Sequence, residues 1–314
     1  MPRVLFLTAH DPSERRYWNT ELIDGLEKAG VHVEIARWSV AESEMIELAK
    51  SVSQICLISA GHYNHTIDAF RTLLSILLPA IQQQFPSVRI CNAPALTLWN
   101  CEKTYLLDLQ REGFRLPRTI VAERQTPEQF KNTLRDFAAA PSGTVIVKPS
   151  IGASGLGVLQ IADVMSFSVK EDATLQHLLD TTTGKLVVQE FIADIKDSGE
   201  LSLILVDGKF VAGVLKRARN GDFRVNSEYG GTAYRLPVDE VPQSAKDVGQ
   251  TIHTWLEGRF GPRSCAYMRL DGVVRAEDNA FVVMEVECIE PSLLTGDVEL
   301  CAELVQHFQN MFGS

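Results

Sequence analysis

The chain has 314 residues, 45% hydrophobic and 22% charged, a balance typical of a folded protein with two or three domains. Its 40 acidic and 30 basic side chains give a formal net charge of −10, which disfavours nonspecific nucleic-acid binding. The apolar run 73–81 is too short to span a bilayer, and the first ten residues contain too short an apolar run for a signal peptide. We therefore expect a cytoplasmic protein with neither a membrane nor a nucleic-acid partner.

The first hundred residues alternate between short apolar strands and helices. The pattern predicts helices over 11–28 and 69–85 and strands over 4–7, 31–36, 55–59 and 88–91. Strands separated by helices pair in parallel, so we expect residues 1–98 to form an open α/β sheet. Three histidines, His10, His62 and His65, follow strand ends, where such sheets bind ligands. They are candidate substrate contacts or simply solvated loop residues.

The rest of the chain divides into a central part, 99–184, and a C-terminal α+β part, 185–314. The central part is predicted to hold a helical region over 95–112, a helix that begins after Thr126 and ends at 141–143, and strands over 145–147 and 158–161. The C-terminal part is predicted to hold strands over 186–191, 201–206 and 210–217, a helix over 243–260, a hairpin over 267–287 and a last helix over 294–312.

A glycine-rich turn follows the strand that ends at Lys148. The turn contains Gly152, Ser154, Gly155 and Gly157, whose small side chains let backbone N–H groups approach an anion. The lysine would add a positive charge. The segment is not a Walker A loop, because no Gly-Lys-Ser/Thr sequence closes it. An ordinary hairpin turn preceded by a surface lysine is the alternative.

The predicted hairpin 267–287 carries three acidic residues and one arginine at alternate positions. A symmetric hairpin that turns near Asp278 places Asp271 opposite Glu285 and Arg269 opposite Glu287. Converging carboxylates repel each other unless a cation lies among them, and Mg²⁺ shared with substrate phosphates is the commonest case. A solvated polar face with one Arg–Glu pair is the alternative.

Two further segments are candidates for ligand binding. The strand 187–192 could present its backbone to a flat base, with Glu200 placed to bind a ribose diol, although the pattern alone favours an ordinary buried strand. Downstream, basic side chains precede the pair Gly230-Gly231, an arrangement that suits phosphates or an anionic intermediate. These side chains are Lys216, Arg217, Arg219 and Arg224. A solvated loop is the alternative.

In this order, the segments resemble the ATP-grasp superfamily, and within it the branch of the glutathione synthetases and the ribosomal-protein glutamate ligases. The resemblance covers about residues 95–295 and rests on Asn100–Leu107, Val147–Pro149 with its glycine turn, Gln189–Ile192, Gly199-Glu200, Lys216, Gly230-Gly231, Arg269–Gly272 and Glu285–Glu287. Within the branch, Trp99-Asn100 and Tyr229–Thr232 are most similar to the cyclo-ligases of D-cycloserine biosynthesis.

The resemblance implies an ATP-grasp fold with an N-terminal α/β sheet, a small mobile lid and a C-terminal antiparallel α+β subdomain. It implies that ATP is held by Lys103, Lys148, Gly152, Ser154, Gly155, Gly157, Gln189, Glu190, Phe191, Ile192 and Glu200. It also implies one or two Mg²⁺ ions, with Mn²⁺ as an alternative, on Asp271, Glu285 and Glu287. The implied catalytic cations are Arg269, Lys216, Arg219 and Arg224.

The implied reaction acts on a small amino-acid-like substrate: it joins a carboxylate to an amine or other nucleophile, or closes a ring, through an acyl phosphate with release of ADP and phosphate. A small-molecule kinase and an ATP-binding regulatory protein are the alternatives, and a homodimer is an open expectation. The sequence departs from the branch at Glu287, where many members have asparagine. That carboxylate could bind metal or pair with Arg269.

Overall fold

The computed structural model describes residues 1–14, 19–138, 143–219 and 222–313. Within these ranges the chain forms a parallel sheet followed by two antiparallel sheets. This arrangement confirms the predicted mixture of α/β and α+β architecture. None of the helices in the described ranges is long and apolar enough to cross a membrane.

The N-terminal sheet has the strand order β2-β1-β3-β4 with parallel pairing, as predicted. Its elements are β1 (Arg3–Thr8), α1 (Thr20–Lys28), β2 (His32–Arg37), α2 (Glu42–Ser51), β3 (Gln54–Cys56), α3 (Ile67–Thr72), α4 (Leu78–Gln84) and β4 (Arg89–Cys91). A π-helical turn over Leu73–Leu77 joins α3 to α4, within the predicted helix 69–85. The predicted helix 11–28 begins as α1 only at Thr20, and its positions 15–18 lie outside the described residues.

The central sheet is antiparallel and has the strand order β5-β8-β6-β7. It and its helices consist of α5 (Pro94–Asn100), α6 (Tyr105–Arg111), β5 (Thr119–Ala122), α7 (Pro127–Phe137), β6 (Val145–Pro149), β7 (Leu159–Ile161), α8 (Val169–Thr181) and β8 (Leu186–Glu190). Strand β8 thus pairs with strands that precede the predicted boundary at 184/185. The boundary itself stays a prediction.

Three differences from the predicted elements concern this central part. The helical region 95–112 is interrupted at 101–104, and this turn carries Lys103. Strand β5 and helix α8 were not predicted. As predicted, a capping box begins α7 at Thr126. This helix was predicted to end at 141–143, of which positions 141 and 142 lie outside the described residues.

The C-terminal sheet has the order β11-β10-β9-β12-β13 and antiparallel pairing. Its part of the chain contains α9 (Ile195–Ser198), β9 (Glu200–Val206), β10 (Lys209–Arg217), β11 (Thr232–Leu236), α10 (Gln243–Phe260), β12 (Tyr267–Val274), β13 (Phe281–Glu287) and α11 (Val298–Gly313). Helix α11 returns to the N-terminal part, where Leu304 and Phe308 share a core with Leu22 and Leu26 of α1. Helices α1 and α11, which lie near the two ends of the chain, therefore stabilise each other.

Asn92 joins the N-terminal sheet to the C-terminal one. Its fully buried side-chain amide donates hydrogen bonds to the carbonyls of Tyr267 (2.8 Å) and Cys288 (2.7 Å). Its oxygen accepts hydrogen bonds from the N–H groups of Ala266 and Tyr267. The side chain thus satisfies backbone groups from two strand ends that would otherwise be buried without partners.

We predict that Asn92→Ala lowers the free energy of unfolding by about 2–4 kcal/mol, because it leaves buried backbone groups unpaired. Urea unfolding would measure the change. The matched control is Asn132→Ala on the exposed side of α7, where the asparagine accepts a hydrogen bond from Arg135. That variant should stay within about 0.5 kcal/mol of the wild type. Equal effects of the two substitutions would contradict the bridging role of Asn92.

Candidate active site

A cleft of about 350 Å³ lies between the central and C-terminal sheets, a size typical of small-molecule sites. It is lined by most of the predicted site residues: Lys103, Lys148, Gly152, Ser154, Gly155, Gln189, Glu190, Phe191, Ile192, Glu200, Lys216, Arg224, Arg269, Asp271, Glu285 and Glu287. Gly157 instead packs against Pro149, and Arg219 is exposed beside Gly230. The structure therefore brings together most of the set, and the roles of all these residues stay predictions.

The register of the β12–β13 hairpin places its charged residues as predicted. Arg269 lies opposite Glu287 and Asp271 opposite Glu285, and a bulge follows Asp271. On the other side of β12, Asp271 is also paired with Ser202 of β9, whose hydroxyl donates to its carboxylate. Three adjacent strands thus bring polar side chains to one face at the floor of the cleft.

A chain of ion pairs runs across this floor. Arg269 binds Asp271 through two nitrogens, at 2.9 and 2.8 Å, and also binds Glu287 at 2.7 Å. Lys216 contacts Asp271 at 3.5 Å and Glu200 at 3.0 Å. Burial opposes ionisation of Asp271, yet Arg269 and Lys216 hold its pKa well below the usual range. Asp271 is therefore ionised at neutral pH and fixed in place.

Two lysines approach the same floor from the central part. Lys103, in the turn between α5 and α6, donates to the carbonyl of Gly152 (2.8 Å) and pairs with Glu285 (2.9 Å). Lys148 is the penultimate residue of β6, and burial lowers its pKa to about 8. No carboxylate of the described residues lies within 4.0 Å of its ammonium group. Lys148 is thus a buried cation without a close counterion, in a position to bind an anion.

The floor balances four carboxylates against four cations. The carboxylates belong to Glu200, Asp271, Glu285 and Glu287. The cations belong to Lys103, Lys148, Lys216 and Arg269. An anionic ligand that arrives together with a divalent cation can replace some of these internal pairs while leaving the charges matched.

The residues partly fit a magnesium site. Each of Glu285 and Glu287 binds its cation through one carboxylate oxygen, and their side chains are 26% and 31% exposed towards the cleft. Oxygen ligands of this kind suit Mg²⁺ shared with phosphates. Asp271 is only 6% exposed, and both its oxygens already accept hydrogen bonds. Within the described ranges no three His, Cys, Asp or Glu residues cluster as a metal site, so the three-carboxylate set stays a prediction.

Glu287 was expected either to bind metal or to pair with Arg269, and the structure shows the ion pair. Burial raises the pKa of its carboxyl group to about 7, although Arg269 acts in the opposite direction. One of its oxygens is engaged by Arg269, which leaves the other available for a metal. The two expectations are therefore compatible in this geometry.

In the predicted base-binding segment, where β8 ends, the structure leaves one backbone N–H group available to a ligand. The side chain of Gln189 donates to Thr119 at 3.0 Å and is buried. The N–H groups of Glu190 and Phe191 donate to other backbone carbonyls, whereas that of Ile192 has no hydrogen-bond partner among the described residues. Ile192 N–H is thus the free donor that could recognise a flat base.

The glycine turn contacts the loop that follows β10. Ser154, Gly155 and Gly157 have positive φ angles, and the hydroxyl of Tyr229 donates to the carbonyl of Gly155 at 3.3 Å. The guanidinium of Arg224 lies 3.6 Å from the ring centroid of Tyr229 and also pairs with Asp222 at 2.8 Å. The two loops together cover one side of the cleft.

Sequence reasoning missed Glu290, which lines the cleft just beyond β13. Burial raises the pKa of its carboxyl group to about 8, with Glu287 acting in the same direction and the backbone N–H of Gly61 in the opposite one. Its Oε2 atom is buried without a hydrogen-bond partner. In the sequence, Glu290 is a third acid shortly after Glu285 and Glu287. It lies beyond the end of the strand, however, where the alternation of side chains no longer predicts which face of the sheet a residue occupies.

The loop that contains Gly61 also carries His62 and His65. The His62 ring stacks on His65 with centroids 5.2 Å apart and meets the His10 ring at 5.0 Å. Burial and the two neighbouring rings lower the pKa of His62, so its ring is neutral at pH 7. These contacts are consistent with loop packing, and a substrate contact by the histidines stays a prediction.

Comparison with known proteins identifies the family. The model of the RimK-like ATP-grasp domain matches residues 102–258, which is half of the chain. This protein belongs to the RimK-like ATP-grasp family. The match confirms the resemblance that the motifs indicated.

Curated relatives match only over part of their length. A probable alpha-L-glutamate ligase of Psychromonas ingrahamii is 29% identical over 135 residues, which are 42% of this chain and 40% of the relative. A glutathione synthetase of Parasynechococcus marenigrum is 32% identical over 158 residues, which are 49% of this chain and 45% of the relative. The chain thus matches less than half the length of these relatives.

Solved structures match over the whole chain and confirm the fold. The D-cycloserine synthetase DcsG has a TM-score of 0.74 at 18% identity, with 99% of each chain covered. The D-alanine–D-alanine ligase from Bacillus anthracis has a TM-score of 0.65 at 16% identity, with 99% of this chain and 97% of that chain covered. At these identities the likeness establishes the ATP-grasp fold alone.

We predict that Glu290→Gln gains stability relative to the wild type as the pH rises from about 5 to about 8. A carboxyl group with a raised pKa holds its proton more tightly when folded, so its contribution to stability falls as pH rises through this window. Glutamine has no such proton. The gain should be about 1–3 kcal/mol.

Urea unfolding at several pH values would measure the difference between variant and wild type. Glu277→Gln is the control, because that side chain is 76% exposed at the turn of the same hairpin. A difference for Glu290→Gln that stays constant from pH 5 to pH 8 would contradict the raised pKa.

Proposed function

We propose that this protein is an ATP- and magnesium-dependent ligase that joins a small carboxylate to an amine. One observation carries the proposal: the balanced set of four carboxylates and four cations converges on a glycine turn within a cleft. The known relatives add support, since those matched are named as ligases or synthetases.

The proposed reaction has two steps. A carboxylate oxygen of the substrate attacks the γ-phosphorus of ATP, the bond to the bridging oxygen breaks, and ADP leaves with an acyl phosphate remaining. The lone pair of the amine then attacks the carbonyl carbon, phosphate leaves with the electron pair of the C–O bond, and the nitrogen loses a proton. Neither step needs a covalent nucleophile on the protein, so positioning and charge stabilisation suffice.

The residues divide this work by position. Lys103 and Lys148 hold the phosphates, and the glycine turn covers them with backbone N–H groups. Ile192 N–H recognises the base. Magnesium, when bound through Glu285 and Glu287, neutralises phosphate charge.

Arg269 and Lys216 lie deeper in the cluster. From the floor of the cleft, they stabilise negative charge on the transferring phosphoryl group or on the tetrahedral intermediate. Arg224 lies within reach at the edge of the cleft, whereas Arg219 requires loop movement to contribute.

Nucleotide turnover with a pool of amino and dicarboxylic acids, with and without hydroxylamine, tests the proposal. Hydroxylamine traps acyl phosphates as hydroxamates, so we predict Mg²⁺-dependent ADP formation together with hydroxamate. Glu285→Gln should reduce ADP formation about a hundredfold or more, because it removes a metal ligand and the partner of Lys103. Glu277→Gln should leave the rate unchanged.

Other product patterns would overturn the proposal. Formation of AMP would indicate adenylation of the acid. Formation of ADP without hydroxamate, with phosphate transferred to a hydroxyl group, would indicate a small-molecule kinase. Nucleotide binding without turnover on any acid in the pool would favour a regulatory role.

A further inference from the structure

Glu290 differs from the four carboxylates at the floor of the cleft in having no cation. Glu200, Asp271, Glu285 and Glu287 each form an ion pair with lysine or arginine at 3.5 Å or less. Among the described residues Glu290 forms no ion pair, and its Oε2 atom is buried without a hydrogen-bond donor. Such a group is costly to keep unless a ligand supplies the missing donor.

The position of Glu290 separates it from the proposed nucleotide site. It follows β13 and lines the cleft together with Tyr63, which belongs to the N-terminal part of the chain. Lys148 and the glycine turn belong to the central part. Glu290 therefore faces the cleft where the N-terminal part closes it, and a ligand there meets the substrate side of the cluster.

The chemistry of this corner favours an ammonium group. The carboxyl group of Glu290 forms no ion pair among the described residues, and its Oε2 atom is buried without a donor. The His62 ring, next to Tyr63 of the cleft lining, adds no positive charge at neutral pH. A carboxyl group in these surroundings matches a ligand that brings several N–H donors and a positive charge.

We propose that Glu290 binds the ammonium group of an amino-acid-like substrate. This inference rests on the proposed ligase function and adds Glu290 to it as a specificity-determining residue. The acid or the nucleophile held at this corner carries an amino group. Its des-amino analogue, which lacks that cation, leaves Oε2 unpaired and binds more weakly.

Binding to pairs of acids that differ only in the amino group tests the assignment. The pairs are L-glutamate and D-glutamate against glutarate, L-alanine and D-alanine against propionate, and L-serine and D-serine against 3-hydroxypropionate. Dissociation constants are measured by calorimetry on the full chain with Mg²⁺ and a non-hydrolysable ATP analogue. We expect at least one aminated acid to bind about tenfold or more tightly than its partner.

Variants locate this preference. Glu290→Gln should bring the ratio of the two dissociation constants close to one, whereas Glu277→Gln keeps the wild-type ratio. Because the ratio is taken within one variant, partial unfolding does not change it. Should the glutamine variant fail to fold, Glu290→Asp retains the charge and should keep a reduced preference for the aminated acid.

Three results would overturn the proposal. The first is equal or absent binding of every aminated acid and its partner by the wild type. The second is an amino preference that survives Glu290→Gln. The third is a Glu290→Gln variant that needs more Mg²⁺ for nucleotide binding and keeps the amino preference, which would make the site a metal site.

The binding test is independent of the ligase proposal. An amino preference that depends on Glu290 but is followed by no ADP formation would remove the ligase function and leave the ammonium site. ADP and hydroxamate formation without an amino preference would support the ligase function and remove the ammonium site.

Discussion

The structure depends on the requirement that buried charges be neutralised. Arg269 and Asp271 are 8% and 6% exposed, and a charge so far from water is tolerated only with a partner in good geometry. Replacing such a pair with apolar side chains is often neutral or stabilising, so folding alone does not explain why the pair is present. The cluster instead gives the cleft a fixed set of charges before any ligand arrives, which is what electrostatic preorganisation requires.

The topology places this cluster where all parts of the chain meet. The β12–β13 register sets Arg269 and Asp271 against two glutamates, and the central part brings Lys103 and the glycine turn from the opposite side. The N-terminal part contributes Gly61, and α11 packs back onto α1. Because the site is assembled from three sheets, small movements between them would open or close it.

Much of this could be predicted from local patterns. Alternation along two strands gave the hairpin pairing of Asp271 with Glu285, and the strand–helix alternation gave the parallel sheet. The interruption of the helical region at 101–104 was not predicted, because apolar periodicity continues through it and tertiary contacts hold Lys103 there. Glu290 was missed because its environment comes from Gly61, more than two hundred residues away, which no local pattern reports.

In the proposed mechanism the cluster exchanges internal ion pairs for a nucleotide and its metal. A crystal structure of the full chain with Mg²⁺ and a non-hydrolysable ATP analogue tests this exchange directly. The ligand-free pair of Lys103 and Glu285 is 2.9 Å long. We predict that this pair separates, with Lys103 on a phosphate oxygen and Glu285 on the metal. An intact pair, with the nucleotide bound elsewhere, would contradict it.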